Sequence, residues 1–115
     1  MSKIVLNTEN SLRQAVKAAL SKAIEKGELT AAGDLPEINV ETPADRAHGD
    51  YACNAAMACA RVFRMAPRRI AEILLENLDL SGTYFEKAEI AGPGFMNFFL
   101  LLLLLNYLHM SIFHL

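Results

Sequence analysis

From Ile90 to Leu115 the chain carries no charged side chain. Other absences narrow its chemistry. Residues 1–11 contain Lys3 and Glu9 but no apolar stretch of the kind that opens a secretory signal, so a cytoplasmic location is expected. Cysteine is scarce. Cys53 and Cys59 stand six apart in an alanine-rich stretch; on one helix they would be about 9 Å apart along the axis, too far and too divergent for a disulfide. Two small buried thiols in a reducing compartment are the expectation. His48, His109 and His114 form no metal-spaced cluster with cysteines or carboxylates, and Cys53 near His48 lacks a third member for thiol catalysis. Gly92-Pro93-Gly94 has neither phosphate-loop pattern, and Glu86 and Glu89, three apart on a strand, face opposite ways. No catalytic residue, metal or cofactor is expected.

What is present starts from a net charge of −2, with 11 basic and 13 acidic residues. This balance argues against a generally basic nucleic-acid binder but leaves room for a local patch, because charge placement sets the potential that steers a phosphate backbone. Arg61, Arg64, Arg68 and Arg69 lie between Asp50 and Glu72 with no acidic residue among them. The hydrophobic fraction of 53% owes much to the terminal leucines.

Periodicity predicts a first helix over 8–26. Leu12, Val16, Leu20 and Ile24 form its stripe, Asn7, Thr8 or Ser11 its cap, and Gly27 its stop. Residues 37–41 alternate as a short strand with Ile38 and Val40 inward. After a loop over 42–49, Gly49 or Asp50 caps a second helix with the stripe Cys53, Ala56, Met57, Ala60 and Phe63. Pro67 opens a third helix with Ile70, Ala71, Leu74, Leu75 and Leu78 on its apolar side. Arg68 and Arg69 fall in its first turn, the unfavourable end for cations. Residues 84–90 and 94–100 read as strands joined by the glycine turn. The expected fold class is α+β, a two-layer domain with a small antiparallel sheet packed against about three helices.

The arginine run and the turn with its following strand make the best case for a site. The arginines can contact successive phosphates at a helix–helix corner. Phe95 offers a stacking face and Asn97 an amide for a base edge, and period two points both the same way. The competing reading puts Phe95 in the core, Asn97 in a turn and the arginines on a solvated helix.

Three separated blocks resemble the N-terminal additional domain of arginyl-tRNA synthetases: His48 to Met57, Pro67 with Ile70-Ala71, and Glu89 to Phe98. The resemblance covers roughly residues 5–100. It implies an α+β module that docks on the elbow of tRNA-Arg, recognises the D-loop and orients the tRNA for a catalytic domain of the same synthetase. Carried over, Gly92, Phe95 and Asn97 are the family's glycine turn and following strand, with Phe95 stacking on the D-loop base and Asn97 hydrogen-bonding to it. An asparagine that some members place at the Gly92 position is missing. Gly49-Asp50-Tyr51 and Asn54 are expected to build the helix start and hold it to the sheet. The family's enzyme joins arginine to tRNA with ATP, but the His-Ile-Gly-His and Lys-Met-Ser-Lys-Ser type motifs of its catalytic domain are absent here. This chain alone is not expected to aminoacylate, and ATP is expected only in the catalytic domain of the parent enzyme.

The resemblance ends near Leu100, dividing the chain into a domain over 1–100 and a leucine-rich tail over 101–115. The compact, mostly apolar stretch from Phe98 to Leu108, which holds Asn106, is 11 residues, short of the ~20 that span a bilayer, so a membrane role is disfavoured. Two readings stand: a truncated or non-native end, or a helix folded over the sheet or used for self-association. The latter supports the alternative function, a protein–protein or self-association module.

Overall fold

The leucine-alanine stripe of the first helix is matched by burial at Leu12, Val16, Ala19, Leu20 and Ala23. The computed structural model describes residues 3–101, and this helix, α1, spans Lys3–Glu25. At its end Gly27 N–H donates to the Ile24 carbonyl and Glu28 N–H to that of Ala23, a Schellman closure that caps carbonyls otherwise left without partners. The elements that follow are β1 (Val40–Glu41), a 3₁₀ turn (Arg46–His48), β2 (Tyr51–Cys53), α2 (Ala55–Phe63), α3 (Pro67–Asn77), β3 (Phe85–Ala91) and β4 (Phe95–Leu100). The strands form one antiparallel sheet in the order β1-β2-β4-β3. Helices cover one sheet face, and α3 contacts both α1 and α2. The α+β two-layer expectation holds. The leucine run beyond Leu101, with His109 and His114 and the roles considered for it, lies outside the described residues.

The core lies between the layers. Along β4, Met96, Phe98 and Leu100 point inward and are buried. The Phe98 ring meets Phe85 edge-on at 5.8 Å, and Phe85 meets Tyr51 at 5.7 Å. Aromatic edges approaching ring faces add specific attraction to the burial of apolar area.

The structure corrects the local readings at four places. Cys53 is not on the second helix: Tyr51-Ala52-Cys53 is a strand laddered to both β1 and β4, and α2 begins at Ala55. Met57 and Ala60 are consequently only half-buried, while Ala55, Ala56, Cys59 and Phe63 face the core. The first helix starts five residues before the predicted position, so Thr8 is a buried helical residue and neither Asn7 nor Ser11 caps the start. The strand at 37–41 is reduced to Val40–Glu41, although Ile38 is buried as expected. Residues at 39 and 54 take over the pairing: Asn54 Oδ1 accepts the Asn39 N–H at 3.1 Å, and the Asn39 carbonyl accepts the Asn54 N–H at 3.3 Å. Finally, α3 turns Ile73 and Asn77 fully inward, whereas Leu75 and Leu78 are half-buried.

The Gly49-Asp50 pair fastens β2 to β4. A Cβ at Gly49 would stand 2.8 Å from the Phe98 carbonyl oxygen, so a side chain there cannot fit without displacing the strand. Asp50 N–H donates to that same carbonyl at 2.9 Å, and Asp50 Oδ2 accepts the Leu100 N–H at 3.0 Å. At the other end of the helical layer, buried Asn77 ties α3 to the end of α1. Its Oδ1 accepts from Lys26 Nζ and its Nδ2 donates to Glu28 Oε1, both at 2.9 Å. That hydrogen bond, with Lys26 nearby, holds the Glu28 carboxyl below its ordinary range.

Both cysteines are free and buried. Burial pushes the Cys53 thiol up to about 11 and raises that of Cys59 as well. The thiolate is the reactive form, so neither should react with a thiol reagent at pH 8 until the chain unfolds. A colorimetric thiol titration, native against denatured, should read zero and then two equivalents; prompt native labelling would contradict the buried placement. The sign for stability follows. Unfolded thiols ionise first, near 9, so the contribution of the buried neutral form is intact below that pH and declines as pH rises from about 9 toward 11.

Candidate nucleic-acid interface

Strand alternation places Phe95, Asn97 and Phe99 on the sheet face opposite the helices. Phe95 is 36% exposed, so it is not a core residue. Asn97, on the same face, is only 6% exposed and sits on a strand with a neighbour on each side. Its register neighbours are Ala52 on β2 and Glu89 on β3. No hydrogen-bond partner for the Asn97 amide occurs among the described residues, and none of its polar atoms is both fully buried and unpaired.

The turn that delivers Phe95 is a three-residue link between β3 and β4, with Ala91 paired to Phe95 and Gly94 N–H donating to the Ala91 carbonyl at 3.3 Å. Gly92 is exposed and has φ +56, and a Cβ placed on it would lie 3.9 Å from Phe95 Cδ2. Gly94 has φ +147, a region essentially restricted to glycine, and is pressed onto Pro67 at the start of α3. The turn therefore abuts the junction between α2 and α3.

That junction carries the arginines. All four are exposed. Arg61 lies in the last turn of α2, and Arg64 caps that helix with φ 54, its N–H donating to the Ala60 carbonyl. Arg68 Nη1 donates to the Gly92 carbonyl at 2.9 Å, and Arg69 Nη1 pairs with Glu72 at 3.4 Å. These two contacts explain how cations are tolerated in the first turn of α3: each has an acceptor that offsets the helix dipole. The structure thus brings Arg68, Gly92 and Phe95 together at one end of the sheet, adjoining the corner that holds Arg64. Asn97 lies two residues along the strand.

Two neighbours on this face carry no local sequence signal. Glu89 is beside Asn97, and Lys87 stands over the Phe99 ring at 4.7 Å while pairing with Glu89 at 2.9 Å. Alternation alone put Phe99 on this face. Placing Lys87 against it required the register, which shifts between Phe85 and Lys87.

Among the described residues no group of three His, Cys, Asp or Glu side chains can hold a metal ion, and no helix is long and apolar enough to cross a membrane.

Comparison with known proteins places this arrangement. The family described as arginyl tRNA synthetase N terminal domain matches residues 10–100. An arginine–tRNA ligase of Desulforamulus reducens is 46% identical over 100 residues, covering 87% of this chain and 18% of the relative. The arginyl-tRNA synthetase of Thermus thermophilus superposes with a TM-score of 0.54 at 28% identity, over 78% of this chain and 14% of that one. The Plasmodium falciparum arginyl-tRNA synthetase gives a TM-score of 0.60 over 82% of this chain and 16% of that one; at 18% identity it speaks to the fold alone. The chain spans less than a fifth of the length of the curated relatives it matches. These matches favour the synthetase reading over a self-association module. With its match running from residue 10 to residue 100, the chain belongs to the arginyl-tRNA synthetase N-terminal domain family.

Proposed function

We propose that this domain binds tRNA-Arg at the D-loop and elbow and presents it to a catalytic domain of the same synthetase, where arginine is joined to the tRNA with ATP. Under this reading the 115 residues contribute recognition and no catalytic group. The observation that carries it is the exposed Phe95 ring, delivered by the Gly92 turn to the same end of the molecule as the arginine corner. A planar apolar ring on an open sheet face is suited to stacking on an unpaired base. Asn97 beside it has an amide with both a donor and an acceptor for a base edge. Arg61, Arg64 and Arg69 supply phosphate contacts, which give affinity without reading sequence. Arg69 would exchange its Glu72 partner for a phosphate. Arg68 is already engaged with the Gly92 carbonyl.

Filter binding of tRNA-Arg to the whole chain tests the assignment. The double variant F95A/N97A is expected to lose roughly 10–100-fold in affinity, the worth of one stacked and hydrogen-bonded base. Log affinity should fall linearly with log salt, by about 0.7–0.9 per phosphate neutralised. Affinity unchanged in the double variant would remove the recognition role. A flat salt dependence would remove the phosphate role.

A further inference from the structure

Two contacts fasten the Gly92–Gly94 turn to the first turn of α3, each across more than twenty residues of sequence. Gly94 is seated on Pro67, where an added Cβ would stand 2.8 Å from both the Pro67 carbonyl carbon and its Cβ. Arg68, the next residue, donates from Nη1 to the Gly92 carbonyl at 2.9 Å. The two grips fall on opposite ends of the turn. Gly92 is also the residue that borders the Phe95 ring. Fixing the Gly92 peptide therefore limits where the ring can stand. A cation in a first helical turn is normally disfavoured, and a carbonyl acceptor aimed at it removes that penalty while giving a charge-assisted bond.

We infer that Arg68 is a positioning residue: it holds the Gly92 side of the turn against α3 and so sets the Phe95 ring for stacking, acting through the turn instead of on a phosphate. The inference rests on the tRNA-binding reading for its consequence but not for its geometry. Preorganising a recognition loop raises affinity by reducing what must be ordered on binding.

The test uses the whole chain with Arg68→Met, which keeps the apolar stem and loses the donors, and Arg68→Lys, which keeps the charge and a donor. Without RNA, hydrogen exchange at the Gly94 and Phe95 amides should quicken several-fold in R68M and recover in R68K, while the thermal midpoint barely moves. Unchanged exchange in R68M overturns the inference. With tRNA-Arg, R68M should weaken binding roughly three- to tenfold in the parent, as expected for one partly exposed charged hydrogen bond, with the salt slope unaltered. In an F95A background the same change should cost less than about twofold, because the ring it positions is gone. An additive loss, accompanied by a slope lower by about 0.7–0.9, assigns Arg68 to a phosphate and sinks the positioning role. If the parent chain does not bind tRNA-Arg, the functional reading fails, and the RNA-free exchange still decides whether Arg68 holds the turn.

Discussion

Gly94→Ala is expected to destabilise the domain by about 3 kcal/mol, the sum of two penalties of similar size. The first is conformational, since φ +147 is a region that residues with a Cβ avoid at a cost of about 1–3 kcal/mol. The second is steric. The new methyl meets the Pro67 backbone and ring at 2.8 Å, and backbone cannot swing aside as a side chain would, so overpacking adds about 1–3 kcal/mol. Gly82→Ala separates the two. Gly82 also has positive φ, +78, but nothing lies within 4 Å of an added Cβ, so only the conformational cost of about 1 kcal/mol applies. Urea denaturation of both variants measures the difference directly. Equal losses at the two glycines would mean that the turn is not seated on α3, and the link between the helix corner and Phe95 would go with it.

Phe98→Ala should cost about 3–5 kcal/mol, whereas Phe95→Ala, three residues earlier on the same strand, should cost only about 1–2 kcal/mol. The contrast comes from alternation. Phe98 is fully buried, packs edge-on against Phe85, and lies on β4, which has a strand on each side. Phe95 is exposed beside the glycine turn. The tRNA measurement should reverse the ranking: Phe95→Ala weakens binding while the protein stays folded. Thermal melts monitored by circular dichroism check the stability half. A large stability loss at Phe95 would return that residue to the core and leave the proposed site without its stacking surface.

Much of this domain is legible in its local sequence signals. The stripe of α1 is long and regular, and Gly27 marks its end, so the hydrophobic period and the stop signal agree. Pro67 at the start of α3 and the glycines between β3 and β4 are similarly local signals. What escaped was strand β2. Tyr51-Ala52-Cys53 is three residues long, leads within one residue into an alanine-rich helix, and has its partners at Val40–Glu41 and Met96–Phe98. Its extended conformation is imposed by those ladders and by the Gly49-Asp50 attachment to β4, none of which a window of neighbouring residues contains. The motif around Gly49 and Asp50, expected to start a helix and hold it to the sheet, makes the attachment to the sheet by joining β2 to β4, while the helix starts later, at Ala55.

The candidate site divides along the same line. Local periodicity alone puts Phe95 and Asn97 on one face, since a strand alternates with period two whatever surrounds it. The sequence also determines that four arginines lie without acidic residues among them, and that the chain's own motifs resemble a tRNA-recognition domain. That Asn97 is shielded while Phe95 stays open follows from long-range packing, because burial depends on which elements flank a strand. Only that packing decides that Arg68 faces the Gly92 carbonyl and that Gly94 rests on Pro67. Those contacts join residues 24 or more apart in the chain, and the packing of a hairpin onto a helix corner, not any local preference, puts them within reach.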